Sequence, residues 1–474
     1  MERMIHTRRR LVLAAGASGL VALAPRYSHA RPAAPVVNDV SRLNPVKVAA
    51  TRRPRSTEEV QAAVRAWKGA ISIGGGRFSQ GGQIAEPGSL HLDMRAMNRL
   101  VLLDARRRVI RVQAGMRWRD VQDLIDPLDL SVKIMQSFSN FTVGGAVSVN
   151  CHGRYVGRGP VVNSVRALAL VTAEGEVLEL SRSQNPELFA AAIGGYGGLG
   201  VVAEVELDLD ANARIERLVQ RVPLEDYPRF FRETVLADPL MVMHNADLIP
   251  HRFDSPIAVS WRATDKPLTE ARRLIPRGQS YGLEKSVIWA VTEMPGGASL
   301  RKEVINPSML GKPAVVWRNH EASLDTASLE PATRKISTYL LQEYFIPQDG
   351  FLPFARKMAR TLRARRVNAL NVSIRHSPQD ATSLMRWAPR EVYAFVLYYK
   401  QASNSAASAE AGTWTRELID AALDNGGRYY LPYRLTATRE QFRAAYPESA
   451  AFAALKSRVD PGNRFRNLLW DAYL

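Results

Sequence analysis

Cysteine is nearly absent from this chain of 474 residues, which contains only Cys151. A single cysteine cannot form an intramolecular disulfide and cannot supply a cysteine-rich zinc site. Long apolar runs are scarce as well. After residue 30, no segment approaches the roughly 18 uninterrupted apolar residues that suggest a membrane-spanning helix. We therefore expect no metal centre and no transmembrane span in the mature chain.

Acidic residues are outnumbered, with 46 Asp and Glu against 64 Lys and Arg, and the formal net charge is +18. An excess of basic residues of this size suggests binding to nucleic acids or anionic surfaces. However, the basic residues occur in short scattered groups, such as residues 106–108, and no basic helix with interleaved aromatic residues is present. We therefore expect no nucleic-acid partner, and we do not expect binding to an anionic surface to be the main role.

Residues 1–30 have the three zones of an export signal. A basic start that includes Arg8, Arg9 and Arg10 precedes an apolar run over residues 11–24, and small residues around Ala30 form a cleavage pattern. Paired arginines are typical of substrates of the twin-arginine export machinery, so we predict an exported, periplasmic protein. The segment carries five arginines and one glutamate, and the mature chain therefore keeps a net charge of +14.

Hydrophobic periodicity predicts two kinds of region. Up to about residue 210, short helices alternate with short strands, one helix beginning at a capping box of Ser56 and Glu59 and one hairpin spanning residues 165–180. This pattern is typical of an α+β domain. From residue 213, longer helices mix with strands, including a predicted strand at residues 287–292, and predict a mixed α/β domain. The Ala/Ser-rich residues 403–411 are predicted to form a surface loop.

Three glycine-rich segments lie beside predicted strands, at residues 73–82, 141–153 and 194–200. Consecutive glycines allow backbone N–H groups to approach a phosphate closely. The first segment is not a Walker loop, because no Gly-Lys-Ser/Thr follows it. Three such loops together suggest a long ligand bound along the backbone, and a dinucleotide has that size.

The order of these loops resembles the FAD-binding domain of the vanillyl-alcohol oxidase and p-cresol methylhydroxylase (PCMH-type) superfamily. The resemblance covers about residues 50–210 and includes Thr-Val-Gly-Gly at residues 142–145 and Cys-His-Gly at residues 151–153. The tail, at residues 426–430 and 460–465, is similar to the sugar branch of the superfamily. That branch includes aldonolactone and alditol oxidases and decaprenylphosphoryl-ribose oxidase.

The resemblance implies an α+β architecture, with a two-subdomain PCMH-type FAD-binding domain and a mixed α/β substrate (cap) domain. The implied segments are a twin-arginine signal at residues 1–30, a lead-in at 31–50, the FAD-binding domain at 51–212, the substrate domain at 213–428 and a C-terminal segment returning to the FAD domain at 429–474.

The resemblance also assigns the cofactor contacts. The residues that would wrap the FAD pyrophosphate are Ile73, Gly74, Gly75, Gly76, Arg77, Phe78, Ser79 and Gln80. Those that would follow the ribityl chain and the isoalloxazine edge are Thr142, Gly144, Gly145, Val149, Asn150, Cys151, His152 and Gly153. Val202 would contact the adenine side, and Tyr430 would contact the flavin.

Many relatives tether FAD covalently through a histidine just after the first glycine loop, and some add a cysteine two residues before the Thr-Val-Gly-Gly threonine. This chain has Arg77 and Asn140 at those positions. The resemblance therefore implies FAD that is bound non-covalently, with Arg77 offering a charge to the pyrophosphate.

Oxidation of an alcohol needs a hydride acceptor and a group that takes or stabilises the hydroxyl proton. Lactone and alditol oxidases carry Glu-x-Arg on a substrate-domain strand, whereas this chain has Ser373-Ile374-Arg375. Arg375 remains a candidate for stabilising negative charge, and Glu343 is a candidate for the missing carboxylate. Tyr433 is either a proton acceptor, if nearby arginines lower its pKa, or a structural tyrosine. Lys400 is a further catalytic candidate.

The sequence thus predicts an FAD-dependent oxidase or dehydrogenase that oxidises a C–OH group of a small-molecule sugar, polyol or lactone by hydride transfer to flavin N5. Oxygen or a respiratory electron acceptor would reoxidise the flavin. Two alternatives stay open: an enzyme of the same fold that acts on a sterol, phenol or amine, and an inactive FAD-binding protein.

Overall fold

The computed structural model describes residues 34–280, 313–328 and 333–474. The predicted export signal and the predicted strand at residues 287–292 lie outside these ranges. No helix in the described ranges is both long enough and apolar enough to cross a membrane.

A small parallel sheet carries the first glycine loop. Its strands, in the order β3-β5-β4, are β3 (Ala50–Arg52), β4 (Ile71–Gly74) and β5 (Leu90–Asp93). Helix α1 (Thr57–Ala66) connects β3 to β4, and Ser56 Oγ caps it by accepting from Glu59 N at 3.3 Å. The Glu59 carboxylate accepts from Arg55 N, so the reciprocal half of the predicted capping box lies one residue earlier than expected. An antiparallel pair, β1 (Val36–Val37) and β2 (Val46–Lys47), precedes this sheet.

A second, antiparallel sheet has the order β10-β9-β11-β7-β6, with β8 paired to the far end of β11. Its strands are β6 (Leu100–Asp104), β7 (Val109–Gln113), β8 (Leu130–Val132), β9 (Val165–Val171), β10 (Val177–Ser181) and β11 (Val201–Ala211). The helices of this region are α2 (Trp118–Ile125), α3 (Val143–Ser148) and α4 (Pro186–Ala192). Along β11 apolar and acidic side chains alternate, so Val205 and Leu207 are buried while Glu204 and Glu206 are half-buried on the other face. The predicted hairpin is confirmed as β9 and β10.

The third sheet has eight strands in the order β15-β12-β14-β13-β17-β18-β16-β19. They are β12 (Arg214–Arg221), β13 (Met241–Leu248), β14 (Ile257–Ala263), β15 (Val315–Trp317), β16 (Ser337–Ile346), β17 (Asn368–Ser377), β18 (Val392–Ala402) and β19 (Arg428–Tyr429). The α-helices in the described part of this region are α5 (Tyr227–Phe230), α6 (Arg318–Ala322), α7 (Phe351–Ala364) and α8 (Ser405–Asp424), and a π-helix (Phe231–Leu236) continues α5. Phe351 and Phe354 of α7 pack on Phe395 of β18 and form part of the largest apolar core. The two kinds of sheet and their helices confirm the predicted α+β class.

The prediction of a surface loop at residues 403–411 is wrong, because residues 405–411 form the start of α8. Asn404 caps the helix by accepting from Ala407 N at 2.8 Å. Alanine has the highest intrinsic helix propensity, and an N-cap asparagine before an alanine-rich run is a helix start signal. The alanine content of this segment therefore favours the helix that forms.

The C-terminal segment adds α9 (Arg439–Ala445), α10 (Ser449–Val459) and α11 (Leu468–Tyr473). It packs against the first sheet, since Ile71 N of β4 donates to Arg464 O at 2.6 Å and Phe465 lies fully buried in the same apolar cluster as Ile71. The segment also contacts the third glycine loop through three side-chain donors: Lys456 to Gly198 O at 2.8 Å, Asn467 to Tyr196 O at 2.9 Å and Trp470 to Gly195 O at 3.1 Å.

Candidate active site

The first glycine loop follows β4 and closes around Thr142, which precedes α3. Gly76 N donates to Thr142 Oγ1 at 3.1 Å. A Cβ atom at Gly75 would lie 2.3 Å from the same oxygen, and one at Gly76 would lie 2.9 Å from the Phe78 ring. A side chain at either position would fill the backbone cradle that the glycine pattern predicts.

The three glycine segments converge on one small cavity of about 70 Å³. The lining residues include Ile73 and Ser79 from the first segment, Gly144 and Gly145 from the second, Gly197 and Gly200 from the third, and Val202 at the start of β11. A Cβ at Gly144 would lie 2.5 Å from Ala114 Cβ, and Gly197 has a φ of +70°, where a side chain would be strained. Glycine is therefore required at both places.

A larger cavity of about 390 Å³ lies beside the small one and shares five lining residues with it: Gly75, Ser79, Ile84, Gly145 and Val149. The glycine loops form one side of this cavity, and one face of the third sheet forms the other. The sheet residues that line it are Asn245, Leu341, Glu343, Asn371, Ser373, Arg375, Val396 and Tyr398. The site thus lies at the junction between the glycine-loop region and the eight-stranded sheet.

The residues of the two cavities fit FAD. Four buried polar atoms of residues lining the larger cavity have no hydrogen-bond partner among the described residues: Arg77 Nε, Ser137 Oγ, His152 Nδ1 and Arg375 Nε. Buried polar atoms normally have one, so an additional polar ligand is expected there. The glycine cradle around Gly75 and Gly76 suits the pyrophosphate, and Val202 in the small cavity suits the adenine side.

Arg77 contributes positive charge at the glycine-cradle end of the larger cavity. Its Nη2 lies 3.3 Å from Asp93 Oδ2, and the same carboxylate also contacts Arg95 at 2.6 Å and Arg53 at 3.7 Å. Burial, and then the charge of Arg77, lower the pKa of His91 to about 4, so this neighbour is neutral at pH 7. Three arginines around one carboxylate leave the cluster positive, as binding of a pyrophosphate requires.

Four predicted cofactor residues do not line either cavity: Gly74, Gln80, Asn150 and Gly153. Gln80 Oε1 accepts from Leu341 N at 2.8 Å, and Asn150 Nδ2 donates to Asp380 Oδ2 at 2.8 Å. Each of these two side chains therefore fixes the position of a glycine-rich segment against another element. A Cβ at Gly153 would lie 2.1 Å from Met135 O, and one at Gly74 would lie 2.7 Å from the His91 ring, so close packing requires both glycines.

Glu343, the candidate for the missing carboxylate, is buried on β16 with both oxygens engaged. Glu343 Oε1 lies 2.5 Å from His152 Nε2, and Tyr433 OH donates to Oε2 at 3.2 Å. Nε2 and Oε1 therefore form a hydrogen bond in which the tautomer of His152 decides which atom donates. Trp387 packs against the His152 ring at a centroid distance of 4.9 Å and fixes its orientation.

Glu343 and Ser373 lie in the same row of the third sheet. In the sheet, Ser373 of β17 pairs with Val396 of β18, and Val396 pairs with Glu343 of β16. All three side chains line the same cavity. The carboxylate is thus placed two strands away from Ser373, in the same row of the sheet and on the same face.

Tyr433 lines the cavity, but a lowered pKa, the condition under which it would accept a proton, is not found. Burial, and then the adjacent charge of Glu343, raise the pKa of Tyr433 well above its usual value, although Arg375 opposes the shift. Tyr433 is therefore a hydrogen-bond donor to Glu343 at neutral pH. Gln83 Nε2 holds the backbone of this residue by donating to Tyr433 O at 2.6 Å.

Arg375 is half-buried, and it lines the cavity on the same strand face as Ser373. Burial lowers its pKa, while the charge of Glu343 opposes that shift. Lys400 lies on the same strand as Val396 and Tyr398 but does not line the cavity. Cys151 lines the cavity, and burial raises the pKa of its thiol, so it stays protonated.

Sequence reasoning missed the polar side chains of β13 and β17. Asn245 and Asn371 both line the cavity, and each donates to the buried Asp247, at 3.1 and 3.0 Å respectively. A signal for Asn371 is present in the sequence, since Asn371, Ser373 and Arg375 alternate with buried apolar residues along one strand. The alternation places all three on the face that carries the Glu-x-Arg positions.

Comparison with known proteins agrees with this geometry. The family described as FAD binding domain matches residues 48–181. The chain is similar to L-gulonolactone oxidase of Bos taurus, with 23% identity over 439 residues, 88% of this chain and 92% of that protein. Shorter matches are found with decaprenylphosphoryl-beta-D-ribose oxidase of Mycolicibacterium smegmatis (32% identity, 31% of this chain and 33% of that protein) and alditol oxidase of a Streptomyces species (29% identity, 36% and 41%).

The chain is an FAD-dependent oxidoreductase that is similar to lactone and alditol oxidases. The match to the FAD binding domain ends at residue 181, near the end of β10, and thus covers the first two of the three glycine segments. The third segment, which begins at Gly194, belongs to the same FAD site by its position in the small cavity.

Lys456 connects the third glycine loop to the C-terminal segment. Lys456 Nζ donates to Gly198 O, Phe465 O and Asp460 Oδ2, at 2.8, 2.8 and 2.9 Å. In Lys456→Met these acceptors lose their donor, which we expect to loosen the loop and weaken FAD binding by about tenfold. Titration of the apoprotein with FAD, followed by flavin fluorescence, measures the change.

The matched control is Lys68→Met, which removes an exposed lysine far from the loop in sequence. Asn467→Ala removes a second contact to the same loop and should weaken FAD binding in the same direction. Unchanged FAD affinity in both folded variants would contradict a role of the tail in holding the site.

Proposed function

We propose that this enzyme oxidises a C–OH group of a sugar, polyol or lactone, and that Glu343 together with His152 accepts the hydroxyl proton. The observation that carries this proposal is the buried contact of 2.5 Å between Glu343 Oε1 and His152 Nε2 on the wall of the larger cavity. The named relatives support the substrate class, since their names describe oxidases of lactones, alditols and a ribose derivative.

The lining of the sheet face suits a polyhydroxylated substrate. Asn245 and Asn371 are each held by Asp247, and each amide keeps further donor and acceptor capacity. Ser373 between them in the sheet adds a hydroxyl group. Several hydrogen-bonding groups on one rigid sheet can orient adjacent hydroxyls of one substrate molecule.

When bound, FAD supplies the hydride acceptor for the oxidation. The residues of the chain manage the proton and the charge. Glu343 and His152 share one proton and therefore provide a basic site for the substrate hydroxyl. Tyr433 donates to the second oxygen of Glu343 and holds the carboxylate in place. Arg375, which has no carboxylate within hydrogen-bonding distance among the described residues, stabilises negative charge that develops at the reacting oxygen.

Substitution of Glu343 tests this assignment. Glu343→Gln keeps the size of the side chain but removes the basic oxygen pair, and we expect the rate of anaerobic flavin reduction to fall by about 10²–10⁴-fold. The measurement is flavin bleaching in a stopped-flow instrument, with a panel of polyols, aldoses and lactones as substrates.

The chain offers a matched control in a second His–Glu pair. His376 Nε2 lies 2.5 Å from Glu391 Oε1, the same distance, but neither residue lines the cavity. The flavin of the Glu391→Gln variant should therefore be reduced at the native rate. If the flavin of Glu343→Gln is bleached at the native rate, the proton-accepting role is refuted. If no member of the panel bleaches the flavin of the native protein, the substrate class is refuted.

We further propose that FAD is bound without a covalent bond to the protein. Arg77 lines the cavity after the first glycine loop, and its guanidinium group does not form a covalent bond with the flavin. Cys151 is buried and its thiol stays protonated, so it is not available as a nucleophile. Acid precipitation of the yellow holoenzyme should release all of the FAD into the supernatant, as measured by absorbance. Flavin that remains in the precipitated protein would contradict this.

We also propose that the reaction takes place in the periplasm, after export of the folded holoenzyme by the twin-arginine machinery. This proposal rests on the basic, apolar and small-residue zones of residues 1–30. Oxygen or a respiratory acceptor would then reoxidise the flavin there.

A further inference from the structure

Strand β6 forms one edge of the six-stranded sheet, and its first three side chains are exposed. Leu100, Val101 and Leu102 expose 40%, 47% and 49% of their surface. The pairing of β6 with β7 shifts register between Leu100 and Leu102, so these three side chains are not covered by the regular alternation of the sheet. Within the described ranges β6 pairs only with β7, which leaves its outer edge without a strand partner. A contiguous exposed apolar run on an open edge indicates a surface that meets another molecule.

Arginines stand at both ends of this apolar run. Arg99 precedes β6, and Arg106, Arg107 and Arg108 form the turn that leads into β7. All four are exposed, and none forms an ion pair with another described residue. Asp104 contributes one negative charge, and its carboxylate caps the turn by accepting from Arg107 N at 2.9 Å. The fold therefore gathers positive charge around an apolar strand at a place where the sequence pattern alone indicated only scattered basic residues.

We propose that this β6 surface, defined as residues 99–102 and 105–108, docks onto a bilayer of anionic phospholipid. Guanidinium groups bind phosphate oxygens in a bidentate geometry, and each basic residue near an anionic membrane strengthens binding. The three aliphatic side chains between the arginines provide the apolar area that enters the headgroup region. The proposal does not depend on the substrate or on the catalytic residues.

The positive charge of the β6 surface disfavours a second copy of the chain as its partner. Two copies that meet at this edge would bring eight arginines together with only two aspartates, and like charges in close contact are repulsive. A bilayer of anionic lipid has the opposite sign and a surface large enough to meet all four arginines at once.

The test is co-sedimentation of the purified holoenzyme with vesicles. We expect binding to phosphatidylcholine vesicles that contain phosphatidylglycerol, little binding to phosphatidylcholine alone, and loss of binding at high salt. The triple variant R106Q/R107Q/R108Q should lower the partition coefficient by about a hundredfold, and Val101→Asp should lower it as well. Both variants should retain native FAD absorbance and native flavin reduction, which shows that they are folded.

The matched control, R360Q/R363Q/R366Q, removes three exposed arginines on and just after α7 and changes the net charge equally. It should bind the vesicles within threefold of the native protein. Three results would overturn the proposal: no preference of the native protein for phosphatidylglycerol, an equal loss in the control variant, or a native dimer in sedimentation velocity that Val101→Asp dissociates. The last result would assign the surface to a second copy of the chain.

Discussion

The hydrogen bond between Glu343 and His152 connects the two halves of the site. His152 lies in the second glycine segment, and Glu343 lies on the eight-stranded sheet, 191 residues further along the chain. A buried carboxylate is costly unless its lone pairs are satisfied, and here His152 and Tyr433 satisfy both oxygens. The glycine loops and the sheet therefore have to meet at this distance, and the larger cavity between them follows from that requirement.

The glycine loops are held mainly by parts of the chain that are distant in sequence. Lys456, Asn467 and Trp470 bind carbonyl groups of the third loop, and Gln83 binds the backbone of Leu431 and Tyr433. Loops that expose their backbone to a ligand have few side-chain contacts of their own. Their shape consequently depends on donors from the C-terminal segment, which also positions Tyr430 and Tyr433 in the cavity.

Much of the fold could be predicted from local patterns. The start of α1, the helix at Trp118–Ile125 and the hairpin of β9 and β10 follow from capping residues and periodicity. The cofactor loops could be found because consecutive glycines beside a strand indicate a backbone that a ligand approaches closely. The prediction for residues 403–411 is wrong because the helix propensity of alanine and the N-cap Asn404 outweigh the polarity of the segment.

The catalytic arrangement was harder to predict, because it depends on pairings between distant strands. The sequence offered Glu343 as one candidate among several, but its row in the sheet with Ser373 becomes visible only when the order β17-β18-β16 is known. The direction of the Tyr433 pKa shift likewise depends on burial and on a carboxylate that lies 90 residues away. Exposure of β6 could not be derived from its apolar sequence, which alone favours a buried strand.

A double-mutant cycle on the rate constant of anaerobic flavin reduction tests the central claim most directly, namely that Glu343 and His152 act as one proton-accepting unit. The variants are Glu343→Gln, His152→Gln and the double substitution, compared at one pH with a saturating substrate. The account predicts that the double variant is no slower than the slower single variant, because groups that act as a unit are lost together. Losses that multiply would contradict it, since they would show that the two residues contribute independently.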